Sequence, residues 1–138
     1  MINVLVLCTG NSCRSQMAEG YIRYFGGNAV NVFSAGIEAH GINPMAIQVM
    51  KEDLIDISHQ RSNNVIEYRN MRFDYVITVC DHAKENCPFF PSHAIKLHQN
   101  FTDPAKATGT PLSVIKQFRN VRDEIKKYCE AFVGNILV

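Results

Sequence analysis

Residues 2–27, INVLVLCTGNSCRSQMAEGYIRYFGG, carry the decision about architecture. Ile2 to Leu7 is a short apolar run rich in β-branched side chains, and its length and composition favour a strand buried on both faces over a helix. The run ends at Cys8, after which Thr9, Gly10, Asn11 and Ser12 supply turn chemistry. Met17, Ala18, Tyr21, Ile22 and Phe25 then recur on one helical face until Gly26 and Gly27 stop it. A buried strand, a tight loop and an amphipathic helix in direct succession open a parallel α/β sheet.

Outward from this unit the alternation continues. Ala29 to Ser34 reads as a second strand, and Pro44 starts a helix carrying Ile47, Met50 and Lys51. Ser58 to Asn64 is polar loop, with Ser62 expected to cap a short helix bearing Val65, Ile66 and Tyr68. Phe73 to Val79 is the central-strand candidate, Ala83 to Asn86 makes about one helical turn before Pro88, and Ala94 to Leu97 is a fourth strand. A loop over 99–109 leads to Thr110 as cap and Pro111 as first residue of a last helix. Its apolar stripe is Leu112, Ile115, Phe118, Val121, Ile125, Tyr128 and Phe132, ending before Gly134. The pattern predicts an α/β fold over residues 1–138: a single three-layer domain with a four-stranded parallel sheet flanked by helices.

Composition narrows the function. With 138 residues, 46% hydrophobic and 20% charged, the chain is an ordinary globular protein of about one domain. Fourteen basic against thirteen acidic residues leave a net charge of +1, too balanced for a protein that coats nucleic acid or an anionic membrane. No apolar run approaches the ~18 residues of a membrane span, and the opening lacks a signal peptide's basic flank and cleavage site. The expectation is a cytoplasmic monomer without nucleic-acid or membrane partners. In a reducing compartment the five cysteines, Cys8, Cys13, Cys80, Cys87 and Cys129, are more readily reactive or metal-binding than structural disulfides.

Five residues separate Cys8 from Arg14, enough for the backbone of Thr9, Gly10, Asn11, Ser12, Cys13 and Arg14 to curl around a tetrahedral oxyanion. The Arg14 fork closes that ring, and the convergent amides with the following helix favour Cys8 as a thiolate nucleophile. Ser15 can hydrogen-bond that thiolate or simply cap the helix. The bland alternative is a buried structural cysteine beside a surface arginine. Cys80 and Cys87, with six residues between them, suit transient pairing. On a helix they would stand about two turns and ~10 Å of rise apart, so disulfide formation requires the helix to unwind. Zinc on Cys80, His82, Cys87 and His93 is the runner-up, without the usual C-x-x-C spacing. Asp103 before Pro104 stands on the loop past the fourth strand, placed to donate a proton or merely to favour a turn. Cys13 and Cys129 are expected to pack, and the histidines at 40, 59, 82, 93 and 98 to be solvated or hydrogen-bonded.

CTGNSCRS over 8–15, followed by QMAE and, late in the chain, by Asp103-Pro104, resembles the low-molecular-weight protein tyrosine phosphatase family. VCDHAKENCP over 79–88 resembles the redox half of the thioredoxin-coupled arsenate reductases that share this fold. The resemblance spans nearly the whole chain, with the three motifs in the family's order. It implies that Cys8 attacks arsenate held by the loop amides and Arg14, while Asp103 protonates the leaving hydroxide. Cys80 then attacks Cys8, releasing arsenite, and Cys87 resolves the bond into a Cys80–Cys87 disulfide for thioredoxin to reduce. Phe89, Phe90 and Pro91 would offer thioredoxin an apolar surface or fill the core. A phosphatase acting on phosphotyrosine or a small phosphoester is the alternative, although Ala105 follows the proline where such phosphatases carry an aromatic residue. A non-catalytic zinc- or oxyanion-binding module is a second alternative. No tightly bound cofactor is implied. Asn11, Glu19 and Ser34 match the family's monovalent-cation ligands, but Asn63 stands where the set has an acid.

Overall fold

The computed structural model describes residues 1–86 and 93–138. Strand β1 (Ile2–Cys8) lies inside a four-stranded sheet of order β2-β1-β3-β4, with β2 at Val30–Gly36, β3 at Tyr75–Thr78 and β4 at Ile95–His98. Every pairing is parallel, as the sequence predicts. Val4, Leu5, Val6 and Leu7 are all fully buried. Consecutive strand residues point to opposite faces, so both faces of β1 are covered, which explains the unbroken apolar run.

Helix α1 (Arg14–Gly26) packs along β2 and against the long C-terminal helix α4 (Pro111–Ile136), which also meets α2 (Pro44–Glu52). Between β3 and β4 stands the six-residue helix α3 (Asp81–Asn86). From β1 the chain passes to β2 on one side, then returns across β1 to β3 on the other. That reversal opens a crevice at the carboxyl end of β1, where ligands bind in open α/β sheets.

Several boundaries differ from expectation for local reasons. The short helix is a 3₁₀ turn, Val65–Tyr68, capped by Asn64 and not by Ser62. Asn64 Oδ1 accepts the Ile66 N–H at 3.0 Å, and the Glu67 carboxylate returns to the Asn64 N–H at 3.0 Å, a reciprocal capping box. Helix α4 runs through Gly134 to Ile136. Phe118, Val121, Ile125 and Phe132 of its stripe are buried, as is Cys129, but Leu112 is 73% exposed because the helix meets the core only further along. Phe73 is buried just before β3, while Val79, just after it, donates to the Leu7 carbonyl at 2.9 Å.

Candidate active site

The loop from Cys8 to Arg14 is held from outside by its carbonyls. Glu38 N–H donates to the Thr9 oxygen at 2.9 Å, His40 N–H to that of Gly10 at 2.9 Å, and Asn43 N–H to that of Ser12 at 3.1 Å. The Asn11 carbonyl accepts Gln16 Nε2 at 3.1 Å and the Ser62 hydroxyl at 3.0 Å. With the carbonyls taken outward, the loop's N–H groups are left for an anion inside. Asn11 holds φ of 49°, the left-handed conformation that asparagine tolerates. Gly36, closing β2, has no room for a side chain: a Cβ there would sit 2.3 Å from the Glu38 oxygen and 2.7 Å from both Asn11 N and the Thr9 oxygen.

A cavity of about 280 Å³ opens beside the loop, lined by Cys8, Arg14, Asp103, His40 and Lys106 with the loop backbone. Arg14 is buried; its Nη1 donates to the Phe101 carbonyl at 3.0 Å and its Nη2 lies 3.5 Å from Asp103 Oδ2. Its Nε is buried with no hydrogen-bond partner among the described residues. A guanidinium N–H left unpaired costs free energy that an oxyanion in the loop would recover. Asp103 serves two functions, since its Oδ1 also accepts the Ala105 N–H at 3.0 Å and caps the 3₁₀ turn Pro104–Lys106. Asp103 thus caps a turn and also lines the cavity beside Arg14.

Cys80, just past β3, meets Cys8 across the sheet edge. The two buried thiols influence each other's titration, the Thr9 hydroxyl lies 3.2 Å from Cys80 Sγ, and the Ala83 N–H reaches that sulfur at 3.4 Å. The bond from Cys8, then those from Thr9 and Ala83, pull the Cys80 thiol down to about 5 despite its burial. Cys8 is pushed up, by the same shared bond and by burial, against the attraction of Arg14. The pair therefore shares one negative charge, beside the Arg14 guanidinium. Ser15 Oγ accepts the Asn11 carboxamide at 2.8 Å. Cys13 is buried as expected, with burial raising its thiol to about 11, and Cys129 is buried under α1. Cys87 and Phe89 to Pro91 lie outside the described residues. Among those residues no group of three His, Cys, Asp or Glu side chains stands where it could hold a metal ion.

The model of the low molecular weight phosphotyrosine protein phosphatases matches residues 3–137. The chain belongs to that family. Within the phosphatase family its relatives include the arsenate reductase of Halalkalibacterium halodurans, 50% identical over 129 residues that cover 94% of this chain and 93% of that protein. A solved structure of an arsenate reductase in the phosphate binding state superposes with a TM-score of 0.86 at 32% identity, covering 99% of both chains. An arsenate reductase solved in the oxidized state gives 0.86 at 31% identity, again over 99% of both chains.

The four residues that match the family's cation ligands do come together in this member of the phosphatase family, but they bond to one another. Asn11 Nδ2 donates to Ser34 Oγ at 3.0 Å, Ser34 donates to Glu19, and Asn11 Oδ1 accepts the Asn63 N–H at 2.7 Å. The Glu19 carboxylate is paired with Arg23, and Asn63 turns its amide to the Ser34 and Arg61 carbonyls. This donor set does not fit a monovalent cation, because its one carboxylate is already neutralised and its amides face inward.

Two histidines set aside in the sequence join the site's surroundings. His40 lines the cavity, close enough over Gly10 that a Cβ there would meet its Nδ1 at 2.5 Å, and its Nε2 is 2.6 Å from Glu38. His98 bridges Thr78 Oγ1 and Asp81 Oδ1, each at 2.7 Å, fixing the residue that follows Cys80. The available signal was the placement of Thr78 and Asp81 on either side of Cys80, not any metal spacing.

Proposed function

We propose that this chain is an arsenate reductase working by a three-cysteine relay. The observation that carries the reading is a second buried thiol, Cys80, next to the oxyanion loop, 3.2 Å from the hydroxyl of the Thr9 that follows Cys8. A phosphatase needs the loop, Arg14 and Asp103; it has no use for a second ionisable sulfur there. The relationship to arsenate reductases supports the same reading.

Arsenate, which has phosphate's shape and charge, would sit in the loop amides with Arg14 supplying the fork its Nε leaves unsatisfied. Cys8 forms an As–S bond while Asp103 gives the departing hydroxide its proton. The one charge shared by the two thiols is available to each in turn as it attacks. Cys80 then attacks Cys8; the As–S bond breaks, its electron pair reduces As(V) to As(III), and arsenite leaves a Cys8–Cys80 disulfide. Cys87 attacks Cys80, freeing Cys8 and passing the oxidation to Cys80–Cys87, which a thioredoxin-type dithiol protein would reduce. Free thiols at this site suit a reducing cytoplasm. Among the described residues no helix is long and apolar enough to cross a membrane. No step is routed through a cation.

The test incubates reduced protein with arsenate and no reductant, then maps disulfides by mass spectrometry. The expected result is a Cys80–Cys87 bond with one arsenite released per chain, absent from a phosphate control. Thiols that stay reduced while an aryl phosphate is hydrolysed would instead make the same loop a phosphatase's.

A further inference from the structure

The anion loop rests on a buried polar cluster: Asn11 of the loop, Gln16 and Glu19 of α1, Ser34 of β2, and Gln60 and Asn63 from the stretch before the 3₁₀ turn Val65–Tyr68. At its outer edge stands Arg23, in the last turn of α1, with a partly exposed side chain. A guanidinium carries five N–H donors and no acceptor, so it fixes the direction of any hydrogen-bond chain that starts on it. Two chains start on Arg23.

The first passes through Glu19, one helical turn back, whose carboxylate pairs with Arg23 Nη2. A carboxylate only accepts, so the Ser34 hydroxyl gives its proton to Glu19 Oε1 at 2.5 Å. The Ser34 oxygen is left to accept, and it takes Asn11 Nδ2 at 3.0 Å. That turns Asn11 Oδ1 the other way, onto the Asn63 N–H at 2.7 Å. The second chain passes through Gln60, whose Oε1 accepts Arg23 Nη1 at 2.7 Å. Its Nε2 then faces Gln16, donating to Oε1 at 2.8 Å and to the carbonyl at 3.0 Å. With its own Oε1 taken, Gln16 directs Nε2 to the Asn11 carbonyl, 3.1 Å away. Both chains therefore end on Asn11, one at its carboxamide and one at its backbone. Its left-handed φ of 49° persists in a non-glycine residue only where the surroundings hold it.

We propose that Arg23 is a positioning residue for the oxyanion loop, setting the donor direction of both chains and thereby the conformation of Asn11. It does not line the cavity, and it acts on binding before chemistry. Without its donors both chains can reverse, the loop samples arrangements whose N–H groups do not converge, and apparent oxyanion affinity falls with the competent fraction. A bound anion reorders the loop around itself, so the chemical step is spared. The proposal rests on the loop as an oxyanion site, which the reductase and phosphatase readings share.

The test measures inorganic phosphate binding by calorimetry, and amide exchange at Asn63 without phosphate, in the full reduced chain and three variants. Arg23→Met keeps an unbranched, helix-favouring stem and removes the donors. It should speed exchange of the Asn63 N–H. It should also weaken phosphate binding about tenfold, as for a competent fraction of about a tenth, and raise the KM for arsenate equally with kcat within about twofold. Arg23→Lys supplies a point charge that meets Glu19 without spanning to Gln60, and should lose about threefold. Arg119→Met removes a similarly exposed arginine, paired with Glu52, and should leave phosphate affinity and Asn63 exchange at the parent's values. Parent affinity and parent exchange in Arg23→Met, or equal losses in Arg119→Met, would overturn the assignment. Should Arg23→Met not fold, Arg23→Lys carries the same comparison. A parent chain that does not bind phosphate would count against the loop reading itself, and Asn63 exchange would still decide the role of Arg23.

Discussion

Gly36 carries no functional group, yet its missing side chain is what lets the anion loop lie against the end of β2. A methyl there meets three backbone atoms that cannot turn aside, whereas at Gly10 it meets only the ring of an exposed histidine. Gly36→Ala should therefore cost about 2–3 kcal/mol, in the range of overpacked sites, and raise the KM for arsenate; Gly10→Ala should cost within about 1 kcal/mol. Urea midpoints and steady-state kinetics check both, and equal effects at the two glycines would contradict the argument. The shared charge of Cys8 and Cys80 gives a second prediction at this scale. Cys80 titrates at about 5 in the folded chain against an ordinary 9.0, while Cys8 is raised, so between those values the unfolded chain binds more protons. Stability from Cys80 is thus present above 9 and lost as pH falls through 5. The difference in urea midpoint between the parent chain and a variant with both cysteines changed to Ser should grow from pH 5 to pH 9; a flat difference would refute the shared negative charge. Cys8, Arg14 and Asp103 were legible in the sequence because one loop and one Asp-Pro carry them. The sharing of one charge between two thiols was not, since it depends on β1 and β3 bringing residues 8 and 80 together.

At the scale of elements, the apolar runs located every strand and α-helix of the described residues within a few positions, because both periodicities are local. What they could not show was how the elements are tied. Helix α3 has six residues, far below the length at which a helix is stable alone. Ala83 is its one fully buried residue among those described. Its first turn is instead secured from β4 and the loop after it. His98 bridges Thr78 to Asp81, and the Asn100 side chain accepts the Asp81 N–H at 3.2 Å. That anchorage positions Cys80 at the start of α3. His98→Ala should accelerate amide exchange at Ala83 and Lys84 and lower kcat for arsenate about tenfold through a misplaced sulfur, with KM unchanged. The paired readout separates positioning from general damage: a raised KM with unchanged exchange would remove His98 from this role.

At the scale of the whole molecule, the relay asks one segment to open while the rest stays folded. The cover over the sheet is built for rigidity. Arg119 and Arg122 of α4 bind Glu52 of α2, and Lys126 of α4 meets Asp53, which accepts the Tyr21 hydroxyl of α1 at 2.7 Å. Beneath these pairs Ile125 is completely buried in the α4 stripe. Truncating it to Ala should cost about 3 kcal/mol, within the 2–5 kcal/mol typical of buried aliphatic deletions. The consequence for the relay depends on what must open. If Cys80 and Cys87 pair by local unwinding, the free energy of that opening does not include Ile125, and the rate of arsenate-driven disulfide formation should match the parent chain's. If pairing needed global unfolding, the same 3 kcal/mol would enrich the open form by about 100-fold and speed the second disulfide accordingly. Stopped-flow quenching with alkylation of both proteins under native conditions distinguishes the two. Equal rates are expected, because the anchored first turn and the short span of α3 confine the rearrangement to the segment that carries the chemistry.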